Sequence, residues 1–153
     1  MPAMSSLAAV EDFLAQRSLA LVGVSRGGKK FGNMALRELT ANGYRVFPVH
    51  PQAETAEGIR CSRSLRELPE RVGGVLVVVP PAQTEAVVRD ASAAGIPRVW
   101  MQSGASSPQA VQFCAENGIA AVHGECILMF LRKGPLFHRI HRWVWGILGK
   151  LPR

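Results

Sequence analysis

Residues 23–32, Gly-Val-Ser-Arg-Gly-Gly-Lys-Lys-Phe-Gly, gather the groups of this 153-residue chain best suited to holding an anion. An apolar run, Leu19 to Val22, feeds this Gly- and Lys-rich loop, and the loop opens into an amphipathic segment. Strand, tight turn and helix N-terminus in that order place backbone N–H groups and a favourable dipole where phosphates bind in α/β domains. Lys29 and Lys30 are then either phosphate partners or solvated loop charges. The loop does not match a dinucleotide fingerprint, because Ser25 stands where G-x-G-x-x-G needs its second glycine. The next strand ends Pro48-Val49-His50-Pro51, without the acid that takes a ribose diol in NAD sites. Lys30 stands where a Walker sequence needs Ser or Thr after Gly28-Lys29, so that motif is not complete either. What remains suits a multiply phosphorylated ligand without a conventional nicotinamide site.

Other reactive side chains are scattered. His50, His123, His138 and His141 form no metal-ligand spacing with a carboxylate or cysteine. Ser103, Ser106 and Ser107 are loop serines without a placed base. Cys61, Cys114 and Cys126, odd in number and widely spaced, give neither a disulfide framework nor a zinc pattern. Binding residues are present; catalytic machinery is not evident.

The elements that position the loop follow from periodicity. Ser5 or Ser6 caps a short helix over LAAVEDFLAQR, followed by a strand at 19–24. A helix starts near Gly32 or Asn33, turns Met34, Leu36 and Leu39 inward, and stops at Asn42-Gly43. Tyr44–Val49 is the second strand, ended by Pro48 and Pro51; 50–62 reads as a loop, with a helical turn at Ser64–Leu68. Val75–Val79 is a continuous apolar run, β-branched except at Leu76, as in a strand buried on both faces. Gln83–Ala94 is a helix, Arg98–Gln102 a strand, Pro108–Asn117 a helix and Ile119–Val122 a short last strand. This alternation predicts an α/β fold: one domain with a parallel sheet and helices on both faces.

Composition agrees. Apolar residues make up 48% and charged residues 19%, and no apolar run approaches the ~20 residues of a membrane span. The N-terminal residues lack a basic region and carry Glu11 and Asp12, which is unlike a signal peptide and points to the cytosol. The net charge of +7 is uneven: residues 1–125 hold twelve Lys and Arg and all eleven acids, whereas the last 28 hold six and no acid. The basicity belongs mainly to a tail, so nucleic acid is not an expected partner of the domain.

The stretch LVGVSRGGKKFGNMALRELTANGYRVFPVHP resembles the opening of the CoA-binding-domain proteins, relatives of the N-terminal domain of the succinyl-CoA synthetase α subunit. VLVVVPPAQTEAVV, VWMQSGASS and GIAAVHGECI agree in the same order, so the likeness spans roughly residues 18–127. It implies a Rossmann-like domain over 1–127 that binds coenzyme A or an acyl-CoA rather than NAD. It also implies roles. Gly23 makes the tight turn and Ser25, with the amides after it, holds a phosphate. Lys29 or Lys30 neutralises phosphate charge, with Phe31 and Gly32 at the helix entry. Val49 and Pro51 flank the adenosine part, Val79 and Pro80 form a rim, and Met101 and Gln102 lie near the pantetheine arm. Simple strand termination accounts equally for Pro51, Pro80 and Pro81. Cys126 falls at the sheet end where the pantetheine thiol would arrive, and is either a partner for it or an inert buried thiol. Two departures stand out: the chain ends before the second domain that carries the synthetases' phosphorylated histidine, and Gln52-Ala53 replaces a common lysine. The alternatives are a CoA-dependent ligase or transferase component needing a partner subunit, or a peripheral membrane or interaction protein acting through its C-terminal helix.

The resemblance leaves 128–153 unexplained. Pro135 suits a helix's first turn, and Leu136, Phe137, Ile140, Trp143, Val144, Ile147 and Leu148 make one apolar face. His138, Arg139, His141 and Arg142 fill the other side. Such a helix packs on the domain, forms a homodimer interface, or rests weakly on a membrane surface.

Overall fold

A computed structural model describes residues 6–25, 27–28 and 30–131. Lys29 and the tail helix expected within 128–153, from residue 132 onward, lie outside the described residues. The chain runs α1 (Leu7–Leu14), β1 (Ser18–Val22), α2 (Phe31–Ala41), β2 (Arg45–Val49), then a two-strand hairpin, β3 (Thr55–Ala56) and β4 (Ile59–Arg60). After a 3-10 turn at Leu65–Glu67 come β5 (Gly74–Val77), α3 (Pro81–Ala93), β6 (Arg98–Gln102), α4 (Pro108–Glu116) and β7 (Ala120–Glu125). A second 3-10 turn follows at Ile127–Phe130. Five strands form one parallel sheet in the order β2-β1-β5-β6-β7, an open Rossmann-like α/β sheet.

Alternation along each strand divides the core in two. Leu19, Leu21, Leu76, Trp100 and Val122 face α1 and α2, where Val10, Phe13, Leu36 and Leu39 meet them. Trp100 is the centre of that layer. It packs edge-on against Phe13 and Phe130, with centroids 5.4 and 5.7 Å away, and its indole N–H donates to the Glu125 carbonyl at 3.0 Å. Ala20, Val75, Val77, Val99 and Met101 face the other way, against Val88 and Ala91 of α3 and Ala110 and Cys114 of α4. Side-chain caps start two helices: Ser6 Oγ accepts from the Ala9 amide, and Ser107 Oγ from the Ala110 amide.

Several elements depart from the expected bounds. Residues 50–62 are no plain loop. They contain the β3–β4 hairpin, and Ser62 bridges to Val49 at the sheet edge. Strands of two residues carry no periodicity to read. Met34 is 40% exposed, because α2 starts at Phe31 and buries Gly32, Asn33, Ala35, Leu36 and Leu39 instead. β2 runs through Pro48 as an edge strand; the Pro48 carbonyl turns outward to the Ser62 amide, so the missing N–H costs no bond to β1. β5 ends at Val77, leaving Val78 and Val79 beyond the strand, and β7 extends through His123 and Gly124 to Glu125.

Candidate functional site

From β1 the chain moves outward through α2 to β2, and from β5 it moves the opposite way through α3 to β6. The connections leaving the neighbouring strands β1 and β5 thus run in opposite directions from their carboxyl ends, which is where open α/β sheets form a ligand crevice. Gly23 follows β1 at φ +128°, and a Cβ there would lie 2.0 Å from the Val78 carbonyl oxygen. A Cβ on Gly32 would lie 2.3 Å from the Gly23 carbonyl oxygen. Backbone therefore touches backbone among the end of β1, the start of α2 and the residue after β5. Only glycine permits either contact.

A cavity of about 340 Å³ opens over this junction. Gly23, Lys30 and Phe31 line one side, Val78, Val79 and Pro80 another, and Gln102 to Ala105 the third. Lys30 is the exposed N-cap residue of α2 and Pro80 the N-cap residue of α3, so two helix N-termini border the same space. The first turn of α2 carries no acid to neutralise its own dipole. Of the residues singled out from sequence, Gly23, Lys30, Phe31, Val79, Pro80 and Gln102 meet here, with Gly32 directly beneath.

The others are placed elsewhere. Ser25 is turned to Asn33: its amide donates to Asn33 Oδ1 at 2.8 Å, and its carbonyl accepts from Asn33 Nδ2 at 2.9 Å. Val49 is 8% exposed, at the end of β2. Pro51 lines a separate cleft of about 340 Å³ beside the hairpin, together with Glu54, Arg60, Cys61 and Arg63. Met101 is wholly buried on the α3–α4 face. Cys126 is half-buried between β7 and the last 3-10 turn, and neither it nor Met101 lines the cavity.

Three positioning residues escaped the sequence reading. Asn33 is fully buried and clamps the glycine loop through both sides of its amide. Its only signal was an amide residue in the first helical turn on what proved to be the inner face. Thr84, also fully buried, donates to the Ala105 carbonyl at 2.5 Å and so fixes the loop after β6. Glu57, at the hairpin tip, accepts from Asn33 Nδ2 at 3.1 Å and from Arg37 Nη1 at 2.8 Å. Those two bonds, Arg37 first, hold its carboxyl below the usual range. Gln102, 5% exposed, is oriented through Ile127, whose amide donates to Gln102 Oε1 at 3.0 Å. Among the described residues no cluster of three His, Cys, Asp or Glu suits a metal ion. Burial raises the Glu125 carboxyl and lowers the His123 imidazole, but neither side chain lines the cavity.

Residues 17–132 match the model of a family described as the CoA binding domain. The chain belongs to that family. Among its relatives, YneT of Bacillus subtilis is 28% identical over 124 residues, covering 80% of this chain and 91% of YneT. The acetate–CoA ligase (ADP-forming) II subunit alpha of Pyrococcus furiosus is 31% identical over 72 residues, 46% of this chain. That stretch is only 16% of the ligase subunit. Among solved structures, a conserved hypothetical protein from Pyrococcus furiosus superposes with a TM-score of 0.69 at 39% identity, over 73% of this chain and 97% of its own. The CoA binding domain match thus covers the sheet, the glycine loop and the cavity together. No helix among the described residues is long and apolar enough to cross a membrane.

Proposed function

We propose that the protein binds coenzyme A or an acyl-CoA at the carboxyl ends of β1, β5 and β6, without catalysis of its own. The observation that carries this reading is the cavity where the connections from β1 and β5 part, with its glycine junction and two helix N-termini. The ligand's diphosphate lies along residues 25–32 and the first turn of α2, neutralised by Lys29 and Lys30. The pantetheine arm runs past Val79 and Pro80 toward Gln102, whose amide is turned with its oxygen to Ile127 and its NH₂ available to a ligand carbonyl. Membership of the CoA binding domain family supports the choice of ligand.

Calorimetry tests the reading directly. CoA is expected to bind more tightly than NAD. Each charge-assisted phosphate contact contributes roughly 1.5–3 kcal/mol. The Lys29→Ala, Lys30→Ala double variant should therefore weaken CoA by one to several orders of magnitude with an unchanged circular dichroism spectrum. Tighter binding of NAD than of CoA would sink the proposal. The stretch shared with the ligase alpha subunit favours a second reading, a ligase component that acts only with a partner subunit. On that reading the natively expressed protein elutes from gel filtration in a complex with a second chain; elution alone favours the stand-alone binder.

A further inference from the structure

The hairpin after β2 reaches beyond the sheet edge it covers. Its two-residue tip is Glu57-Gly58, at φ +52° and +77°, the left-handed pair that tight hairpins require. Glu57 is the only non-glycine residue at positive φ among those described. The tip folds back over the glycine loop. There the Glu57 carboxylate joins Asn33, the residue that clamps Ser25, and Arg37 on the next turn of α2. A Cβ built on Gly28 would sit 3.3 Å from Glu57 Oε2, so the carboxylate stands beside the loop in the space a side chain at 28 would need. A chain-borne anion thus lies against the loop assigned above to the ligand's phosphates, and it ties up Arg37, a nearby cation.

We infer that Glu57 is a built-in competing anion, which lowers the loop's affinity for every phosphate-bearing ligand alike, so that a ligand needs further contacts along the cavity to be held. The inference rests on the phosphate role of the loop proposed above. The chemistry is that of like charges. A phosphate entering beside Gly28 meets an ionised carboxylate, and it must either repel that carboxylate or displace it from Asn33. Inorganic phosphate or pyrophosphate has only charge to set against this. A nucleotide with a long arm adds contacts at Val79, Pro80 and Gln102 and still binds.

Glu57→Gln keeps an acceptor for Asn33 while removing the charge, and Glu57→Gly removes the side chain and relieves the positive φ. Both variants of the full-length protein should bind CoA and inorganic pyrophosphate more tightly, by roughly three- to tenfold, as expected for one screened like charge. Arg37→Gln, which leaves the carboxylate without its counter-charge, should shift both affinities the opposite way. A purely structural strap predicts the reverse for Glu57→Gly, namely looser binding with a lower melting temperature. Unchanged or weaker CoA binding in both Glu57 variants, with wild type binding normally, overturns the inference and leaves the CoA reading intact. If wild type does not bind CoA at all, the CoA reading falls and this inference with it.

Discussion

The two ends of the sheet carry cavities of opposite construction. At the amino ends of β5 and β6 lies the larger, about 740 Å³, lined by residues such as Leu68, Arg71, Gly95 and Arg98. It sits where α3 ends, so helix carbonyls face that side. The smaller cavity at the carboxyl ends has two helix N-termini, a glycine junction and the buried, oriented amide of Gln102. Volume therefore does not select the site. In a parallel sheet the crossover helices begin at the carboxyl ends, so their positive dipole ends collect at one end and their negative ends at the other. Only the first is suited to phosphate.

The largest expected contrast between the two ends comes from glycine. Gly23→Ala and Gly32→Ala each force a Cβ into backbone, and overpacking of this kind costs roughly 1–3 kcal/mol or more. Gly95, in the larger cavity, is also left-handed, at φ +77°, but a Cβ there meets nothing within 4 Å. Gly95→Ala should cost only the backbone term, about 1 kcal/mol, and leave CoA affinity unchanged. Urea unfolding compares the three; equal losses would erase the distinction. Next is Asn33→Ala, which strands the Ser25 amide and carbonyl at about 1–3 kcal/mol and loosens the loop. Its counterpart Arg71→Ala, exposed in the larger cavity, should stay within about 0.5 kcal/mol by the same measurement. The smallest effect belongs to Asp12→Ala. It removes the half-exposed ion pair with Arg98, 2.6 Å apart, for at most about 1 kcal/mol. A loss of CoA affinity in this variant would mean that the two ends of the sheet are coupled.

Much of this was legible before the fold. Arg98–Gln102 is the strand that alternation predicted, and Pro108 opens α4 at the place its fixed φ suggested. The helix–Gly–strand junctions at Gly43, Gly95 and Gly118 all hold glycine at positive φ. The basic loop between β1 and α2 was visible for the same reason: its strand and helix are both long enough to show a period. The hairpin was not legible, since two-residue strands have none, and neither was the turning of Met34 outward in favour of a buried Asn33. A polar residue on an inner face is read as an outer one unless its partners are known, and the partners of Asn33 are Ser25 and Glu57.

The sequence by itself determined the succession of strands and helices, the parallel α/β class and the sheet end that carries glycine and lysine. These depend on local periodicity and on turn residues, which act within a few positions of the chain. Only the tertiary structure decided that β1 lies beside β5, bringing Gly23 onto Val78, and that Glu57 folds back against Gly28 and Asn33. Such contacts join residues far apart in the chain. They are set by strand order and by how two packed faces fit, and no local pattern encodes either.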